Sequence, residues 1–454
     1  MVRSRRLDQE EPFAGDDLIA SARSRAFPLR SPHDLDPLVQ HIGRARFVLL
    51  GEASHGTHEY YAWRAALSRR LIEEKDFTCI AVEGDWPDCY RINRFVRGFP
   101  EAGESAREVL QGFRRWPTWM WANEEVADFV DWLRRHNGPL PAERQCGFYG
   151  LDVYGLWDSM YEVMRYLRRK APSLPGPDSG AQEAARRAFR CFEPYGEDEQ
   201  AYAHSTRWVP EGCEEEAVAL LREMLARAPR FEHDDREAYF AAEQNARVVM
   251  NAEAYYRAMV RGGPESWNVR DRHMVETLDR LMAHLGPKAK AIVWEHNTHV
   301  GDARFTDMVG EGMVNVGQLV REARAAEGVV VAGFGSHRGT VVAGREWGAT
   351  PEVMEVLPGR AGSWEDVLHR AVDGDRLFLF EGVATDPRWL EWRGHRAIGV
   401  VYSPRFERYG NYVPSVLSRR YDAFLYIDQT RVLRPLPVEP VAEGEVPETY
   451  PTGV

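Results

Sequence analysis

Glu52, His55 and His58 fall close together in the run Phe47-Val-Leu-Leu-Gly-Glu-Ala-Ser-His-Gly-Thr-His58. A carboxylate beside a histidine sets the imidazole tautomer and raises its basicity, which suits a group that takes a proton from water. A second cluster, Glu295-His296-Asn-Thr-His299, repeats the pairing, and single carboxylates stand at Glu83 and Asp152. Gly335-Ser-His337-Arg338 is a fourth, weaker polar group. The set suits two chemistries. In one, a histidine deprotonates water, the water attacks an ester carbonyl, and a second histidine or an arginine steadies the oxyanion. In the other, Glu52, His55, Glu83 and His296 hold a divalent metal that activates the water itself. These residue types leave both open. A covalent serine route is disfavoured, because Ser54 adjoins His55 without the G-x-S-x-G elbow. The H-x-x-x-H pair of a zinc protease and the glycine loops that cradle phosphates are also missing.

The elements around these residues explain why they should meet. Phe47 to Leu50 is wholly apolar and reads as a buried strand, with a turn before a helix over about 59–75. That helix offers Tyr60, Trp63, Leu67, Leu71 and Ile72 inward. Residues 77–82 form a second strand closing on Glu83, residues 145–152 a third closing on Asp152, and residues 289–294 a fourth followed by Glu295. Such spacing gives parallel strands, and groups just past their C-terminal ends gather at one edge of the sheet. Further strands are expected at 329–334, 377–380, 397–402 and 423–427.

The reading is α/β: a three-layer core around a mostly parallel sheet, with an inserted helical lobe. Residues 34–170 and 286–432 build the core, 171–285 the lobe over the site, 1–33 a flexible arm and 433–454 a tail. Trp116, Trp119 and Trp121 form either a cleft wall or a packed aromatic seam. Within the lobe, Asp271 is expected to cap the last helix, at 270–284, and Arg270 to act as an anion clamp. His58, Glu59, Asp152, Trp119, Trp121, Arg270, His299, His337 and Arg338 are therefore expected to bind substrate or orient the catalytic groups.

With 70 acidic against 58 basic residues, the net charge of -12 disfavours a nucleic-acid partner. No apolar run is long enough to span a membrane, and no signal peptide is visible at the N-terminus. The five cysteines include no C-x-x-C pair and suggest no disulfide framework, so a cytoplasmic setting is expected. A small ester or lactone is the expected partner, with no cofactor required and a divalent metal the alternative. The rival readings are a metal-dependent hydrolase of another ester, lactone or phosphoester, and a small-molecule binding protein without turnover.

Gly51-Glu-Ala-Ser-His-Gly56 followed by Glu59, then Ala81-Val-Glu83-Gly-Asp85, then Trp294-Glu-His296-Asn-Thr-His299, resembles the erythromycin esterase family over roughly residues 35–430. That family carries G-E-x-x-H-G after its first strand, a glutamate after its second, and H-N-x-H after a helical lobe. The resemblance implies a hydrolase that opens the macrolactone ester of 14-membered macrolides with water. It makes His55 the general base, places Glu52 and Glu83 in the site, and makes His296 a further essential histidine. The broader family also holds succinoglycan-biosynthesis-like members, so the likeness speaks for hydrolysis more than for one substrate.

Overall fold

Strand residues 47–50, 79–82 and 291–294 alternate between two apolar layers, and this alternation builds the molecule. Val48, Leu50, Ile80, Val82, Ile292 and Trp294 face one layer; Phe47, Leu49, Cys79, Ala81, Ala291 and Val293 face the other. Both faces are dry, as expected for parallel strands covered by helices on each side. A computed structural model describes residues 15–100, 102–170, 180–195, 199–206, 212–226, 228–383 and 385–440.

In chain order the strands are β1 (Ala26–Pro28), β2 (Phe47–Leu50), β3 (Cys79–Asp85), β4 (Gly147–Asp152) and β5 (Ala291–Trp294). There follow β6 (Val329–Ala343), β7 (Glu352–Val356), β8 (Arg376–Leu379), β9 (Arg393–Arg396), β10 (Tyr412–Ser415) and β11 (Ala423–Thr430). Nine form one sheet in the order β1-β8-β11-β6-β2-β5-β3-β4, with β7 paired to β6, while β9 and β10 make a separate antiparallel pair. The run from β11 to β4 is parallel throughout, and β1, β7 and β8 join antiparallel. The α/β reading with a mostly parallel sheet holds. One face packs the helices His58–Lys75 and Glu124–Asn137, and the other packs Asp16–Arg25, Glu265–Leu285 and Trp364–Ala371.

A third apolar cluster holds the helical lobe together. It takes in Leu156, Met160, Val163 and Leu167 of the helix Leu156–Lys170, along with the helices Gly180–Phe192, Glu214–Ala226 and Ala228–Met259. The helix Glu265–Leu285 instead lays Met274, Leu278 and Leu281 on the sheet. Cys191 and Cys213, which sequence spacing left unpaired, are joined inside this lobe with sulfurs 2.05 Å apart. Packing brings the end of one helix to the start of another, a pairing that no local cysteine motif announces. Cys79, Cys89 and Cys146 are buried free thiols. Among the described residues, no helix is long and apolar enough to cross a membrane.

Three expectations change. Residues 15–28 are not loose, because Leu18, Ile19 and Ala22 give the first helix an apolar face and β1 pairs with β8. Residues 433–440 do not trail away: Leu433 and Leu436 are buried, and Leu436 N–H donates to the Ala122 carbonyl at 2.8 Å. Residues 1–14 and 441–454 lie outside the described residues. The strand expected at 397–402 is reduced to single bridges at Ile398 and Val401, whereas β6 continues through Gly335 to Ala343 against β11 and β7.

Candidate active site

The loop after β2 approaches its neighbours more closely than a side chain allows. A Cβ on Gly51 would lie 2.1 Å from Asn297 Oδ1, and one on Gly56 would lie 2.0 Å from the Val342 carbonyl oxygen. Hydrogen bonds fix that approach: Asn297 N–H donates to the Glu52 carbonyl at 2.8 Å, and Val342 N–H to the Gly56 carbonyl at 3.1 Å. Glu52 and His55 are thereby held at the end of the sheet, each about fully buried. His55 Nδ1 is 2.9 Å from Glu52 Oε1, and Arg64 Nη2 donates to Glu52 Oε2 at 2.7 Å. A carboxylate paired with a guanidinium only accepts, so Nδ1 carries the proton and Nε2 is the basic nitrogen. Arg64 is buried against the Tyr61 and Trp294 rings at 4.4 and 5.1 Å, which hold its cation without water. The Ser54 hydroxyl bonds to the Thr57 hydroxyl rather than to His55.

His296 faces His55, the two ring centres lying 4.9 Å apart. Its backbone N–H donates to Glu83 Oε2 at 2.7 Å. Thr298 N–H points at His296 Nδ1 at 3.3 Å, so that nitrogen accepts and the ring proton sits on Nε2. Burial holds this imidazole well below its usual pKa, so it is neutral at pH 7. Among the described residues Nε2 is buried without a hydrogen-bond partner, although the Ala53 carbonyl lies close enough to act on the ring. A buried N–H donor left open beside a histidine base is where an oxygen acceptor belongs.

Around this pair the carboxylates are paired by Arg270 of the helix Glu265–Leu285 and by His299 after β5. Arg270 donates to both Asp152 oxygens at 2.9 and 2.7 Å and to Glu83 Oε1 at 2.8 Å. His299 sits between Asp271 Oδ2 at 3.0 Å and Glu83 Oε1 at 3.3 Å, with Trp267 stacked on its ring. Burial alone would lower His299, but Asp271 and Glu83 raise it well above the usual histidine range, against the Arg270 guanidinium 3.2 Å from its Nε2. Burial alone would raise Glu83, but His299 and Arg270 hold it well below the usual carboxylate range. Glu295, beside Glu83 where β5 leaves the sheet, is wholly buried, and among the described residues neither of its oxygens has a hydrogen-bond partner. Burial, reinforced by Glu83, Asp271 and Asp152, pushes its carboxyl well above the usual range.

A small cleft of about 60 Å³ opens onto Glu83, Asp152 and Arg270, with Trp116, Trp121 and Trp347 among its walls. His55 and His296 are not among its lining residues; each is no more than 3 % exposed. Trp121 Nε1 donates to the Glu83 carbonyl at 2.9 Å, whereas Trp119 packs against Trp116 in the core. Asp85, Asp88 and Arg115 also line the cleft, and burial raises the Asp88 carboxyl to about 7.

The structure sorts the expected residues into separate places. Glu52, His55, Glu83, Asp152, Arg270, His296 and His299 meet at one edge, linked by the contacts above. His58 pairs with Glu125 at 2.6 Å, and Glu59 with Arg431 at 2.9 Å, on the far side of the loop. His337 stacks on His369 at 3.7 Å, and exposed Arg338 follows it. Asp271 is not a cap, because its helix begins at Glu265; it accepts from Val316 N–H at 3.0 Å and pairs with His299. Sequence reasoning gathered Glu295 with the other strand-end groups but passed over Arg64. Arg64 shares the inward face of Tyr60, Leu67 and Leu71, and that position was the available signal.

The set Glu52, His55, Glu83 and His296 does not fit a divalent ion. Both oxygens of Glu52 and both of Glu83 already accept from protein donors, two of them buried guanidiniums. A dication there would face the Arg64 and Arg270 guanidiniums at short range. Among the described residues, no group of three or more His, Cys, Asp or Glu is arranged to hold a metal.

Known proteins share the fold of this chain. The family model described as erythromycin esterase matches residues 72–430. Erythromycin esterase type II of Escherichia coli is 32 % identical over 120 residues, 26 % of each chain. YbfO of Bacillus subtilis (strain 168), described as a candidate hydrolase, is 21 % identical over 421 residues, 88 % of this chain and 86 % of that one. A solved succinoglycan biosynthesis protein superimposes with a TM-score of 0.73 at 19 % identity, covering 92 % of this chain and 98 % of that one. A histidine-to-asparagine mutant of the erythromycin esterase EreC, in its open conformation, superimposes with a TM-score of 0.65 at 16 % identity, covering 90 % and 97 %. With the family match spanning most of its length, this chain belongs to the erythromycin esterase family, whose membership supports a hydrolase.

Proposed function

We propose that this protein hydrolyses a carboxylic ester or lactone by direct attack of water. His55 Nε2 takes the proton from water, while Glu52, backed by Arg64, holds the imidazole in the right tautomer and stabilises the imidazolium that forms. The His296 Nε2–H donates to the carbonyl oxygen as negative charge develops on it. Glu83 fixes the His296 backbone and is itself fixed by Arg270 and His299. The single observation behind this reading is the open, buried N–H of neutral His296 beside a carboxylate-oriented histidine.

The size of the cleft bears on the substrate. A space of about 60 Å³ holds a few waters and excludes a macrolide. A large lactone therefore requires Trp116 and Trp347 to part; a small ester requires less. The test is mass spectrometry of the purified protein with erythromycin, simple lactones and aryl esters, with and without a chelator. Gain of one water on any of these, unchanged by the chelator, is the expected result. Failure to hydrolyse every compound, or activity lost to the chelator and restored by a divalent metal, would overturn the proposal.

A further inference from the structure

Away from the catalytic cleft, a larger cavity of about 400 Å³ lies between the helices Trp86–Val96, Leu156–Lys170 and Ala228–Met259 and the segment 102–112. It shares no lining residue with the cleft at Glu83: the helix Trp86–Val96 gives Asp88 to that cleft, and Tyr90, Arg91 and Arg94 to this cavity. The volume is that of small-molecule sites.

Its chemistry divides by depth. The floor is Ala238, Ala241 and Ala242, whose methyl side chains leave room for a flat apolar body. Asn245 stands beside them, 4 % exposed, its Nδ2 donating to the Ala241 carbonyl at 2.9 Å. At the rim Arg91, Arg94, Arg165 and Arg169 outnumber Glu108 and Glu162. Arg165 pairs with Glu162, Arg91 reaches Asp88 at 2.8 Å, and Glu108 accepts from the Glu104 amide at 2.7 Å. Arg94 donates to the Pro100 carbonyl, and among the described residues Arg169 has no carboxylate partner. A local excess of guanidinium in a chain of net charge -12 marks the rim as built for an anion.

We propose that this cavity is a second binding site, for a small organic anion with a flat apolar body and a sulfonate-, carboxylate- or phosphate-like head. The body lies on the alanine floor and the head reaches the arginine rim. The inference is independent of the reaction proposed for His55.

Isothermal titration of the full chain with naphthalene-1-sulfonate, which no esterase can cleave, tests it, with uncharged naphthalene-1-methanol as the control. Saturable 1:1 binding of the sulfonate, at least about tenfold tighter than the alcohol, is expected, that ratio being the worth of one charge-assisted hydrogen bond. Arg169→Glu and Arg165→Glu, both exposed positions, should each weaken binding about tenfold and leave ester hydrolysis unchanged. No saturable binding, equal affinity for the alcohol, or binding indifferent to both variants would overturn the site. So would sulfonate inhibition competitive with ester that persists in Arg169→Glu, since the probe would then occupy the catalytic cleft.

Discussion

At the scale of single residues, the proposed mechanism depends on which nitrogen carries a proton. Glu52 puts it on Nδ1 of His55, and the Thr298 amide puts it on Nε2 of His296, so one ring accepts where the other donates. Removing the donor in His296→Ala should lower kcat by about 10²- to 10³-fold with little change in KM, read from steady-state ester hydrolysis. An equal loss through KM would show that His296 binds the ground state instead. A third ring carries a pH signature. His273 accepts from Asn251 at Nδ1 and lies 3.2 Å from the Asp152 carbonyl at Nε2, and burial pushes it down to about 4. Against about 6.5 in the unfolded chain, its contribution is fully present above pH 6.5 and is lost as pH falls toward 4, because only the unfolded state takes up the proton. Urea unfolding at pH 7 and pH 4.5 should show wild type losing up to about 3 kcal/mol more than His273→Gln. Equal losses would contradict the assignment.

At the scale of elements, the cleft is closed by two segments that meet over it. Trp116 Nε1 donates to the Ala349 carbonyl at 2.9 Å, and the Trp116 and Trp347 rings are 4.6 Å apart. Trp347→Ala should raise kcat/KM for bulky lactones over small aryl esters by roughly tenfold, measured in competition, as a wall is removed. An unchanged ratio would mean that substrate enters elsewhere. This scale also shows what the sequence made legible. An apolar run of four residues followed by Glu52 or Glu295 reads plainly as a strand delivering polar groups to an edge, since nothing else explains so abrupt a change. Arg64 did not read that way, because an arginine in a helix rich in arginine looks like solvent-facing charge until Glu52 is placed beneath it. Asp271 looked like a cap because the periodicity located its helix too late; the true start at Glu265 carries Asp271 inward to His299. His58 and Glu59 were drawn into the site by nearness in sequence, yet one further turn of chain sends them to Glu125 and Arg431.

At the scale of the whole molecule, the helix Glu265–Leu285 joins sheet and site. Its apolar face packs on β4 and β5, and Arg270 ties together the ends of β3 and β4 through Glu83 and Asp152. Arg270→Leu leaves two buried carboxylates without their cation, so stability should fall by about 3–5 kcal/mol in denaturant titration. A change below about 1 kcal/mol would show that water reaches the pair. Long-range ties of this kind, like the seating of Leu433 and Leu436 beside Ala122, were beyond periodicity because each depends on chain hundreds of residues away.

The most direct measurement is ester hydrolysis by His55→Asn beside wild type, with thermal unfolding of both recorded in the same buffer. Asparagine keeps a polar group next to Glu52 but cannot take a proton from water, so the account predicts turnover lower by 10²- to about 10⁴-fold in a protein that still unfolds cooperatively near the wild-type temperature. A folded His55→Asn protein that hydrolyses the same ester at the wild-type rate would contradict His55 as the base.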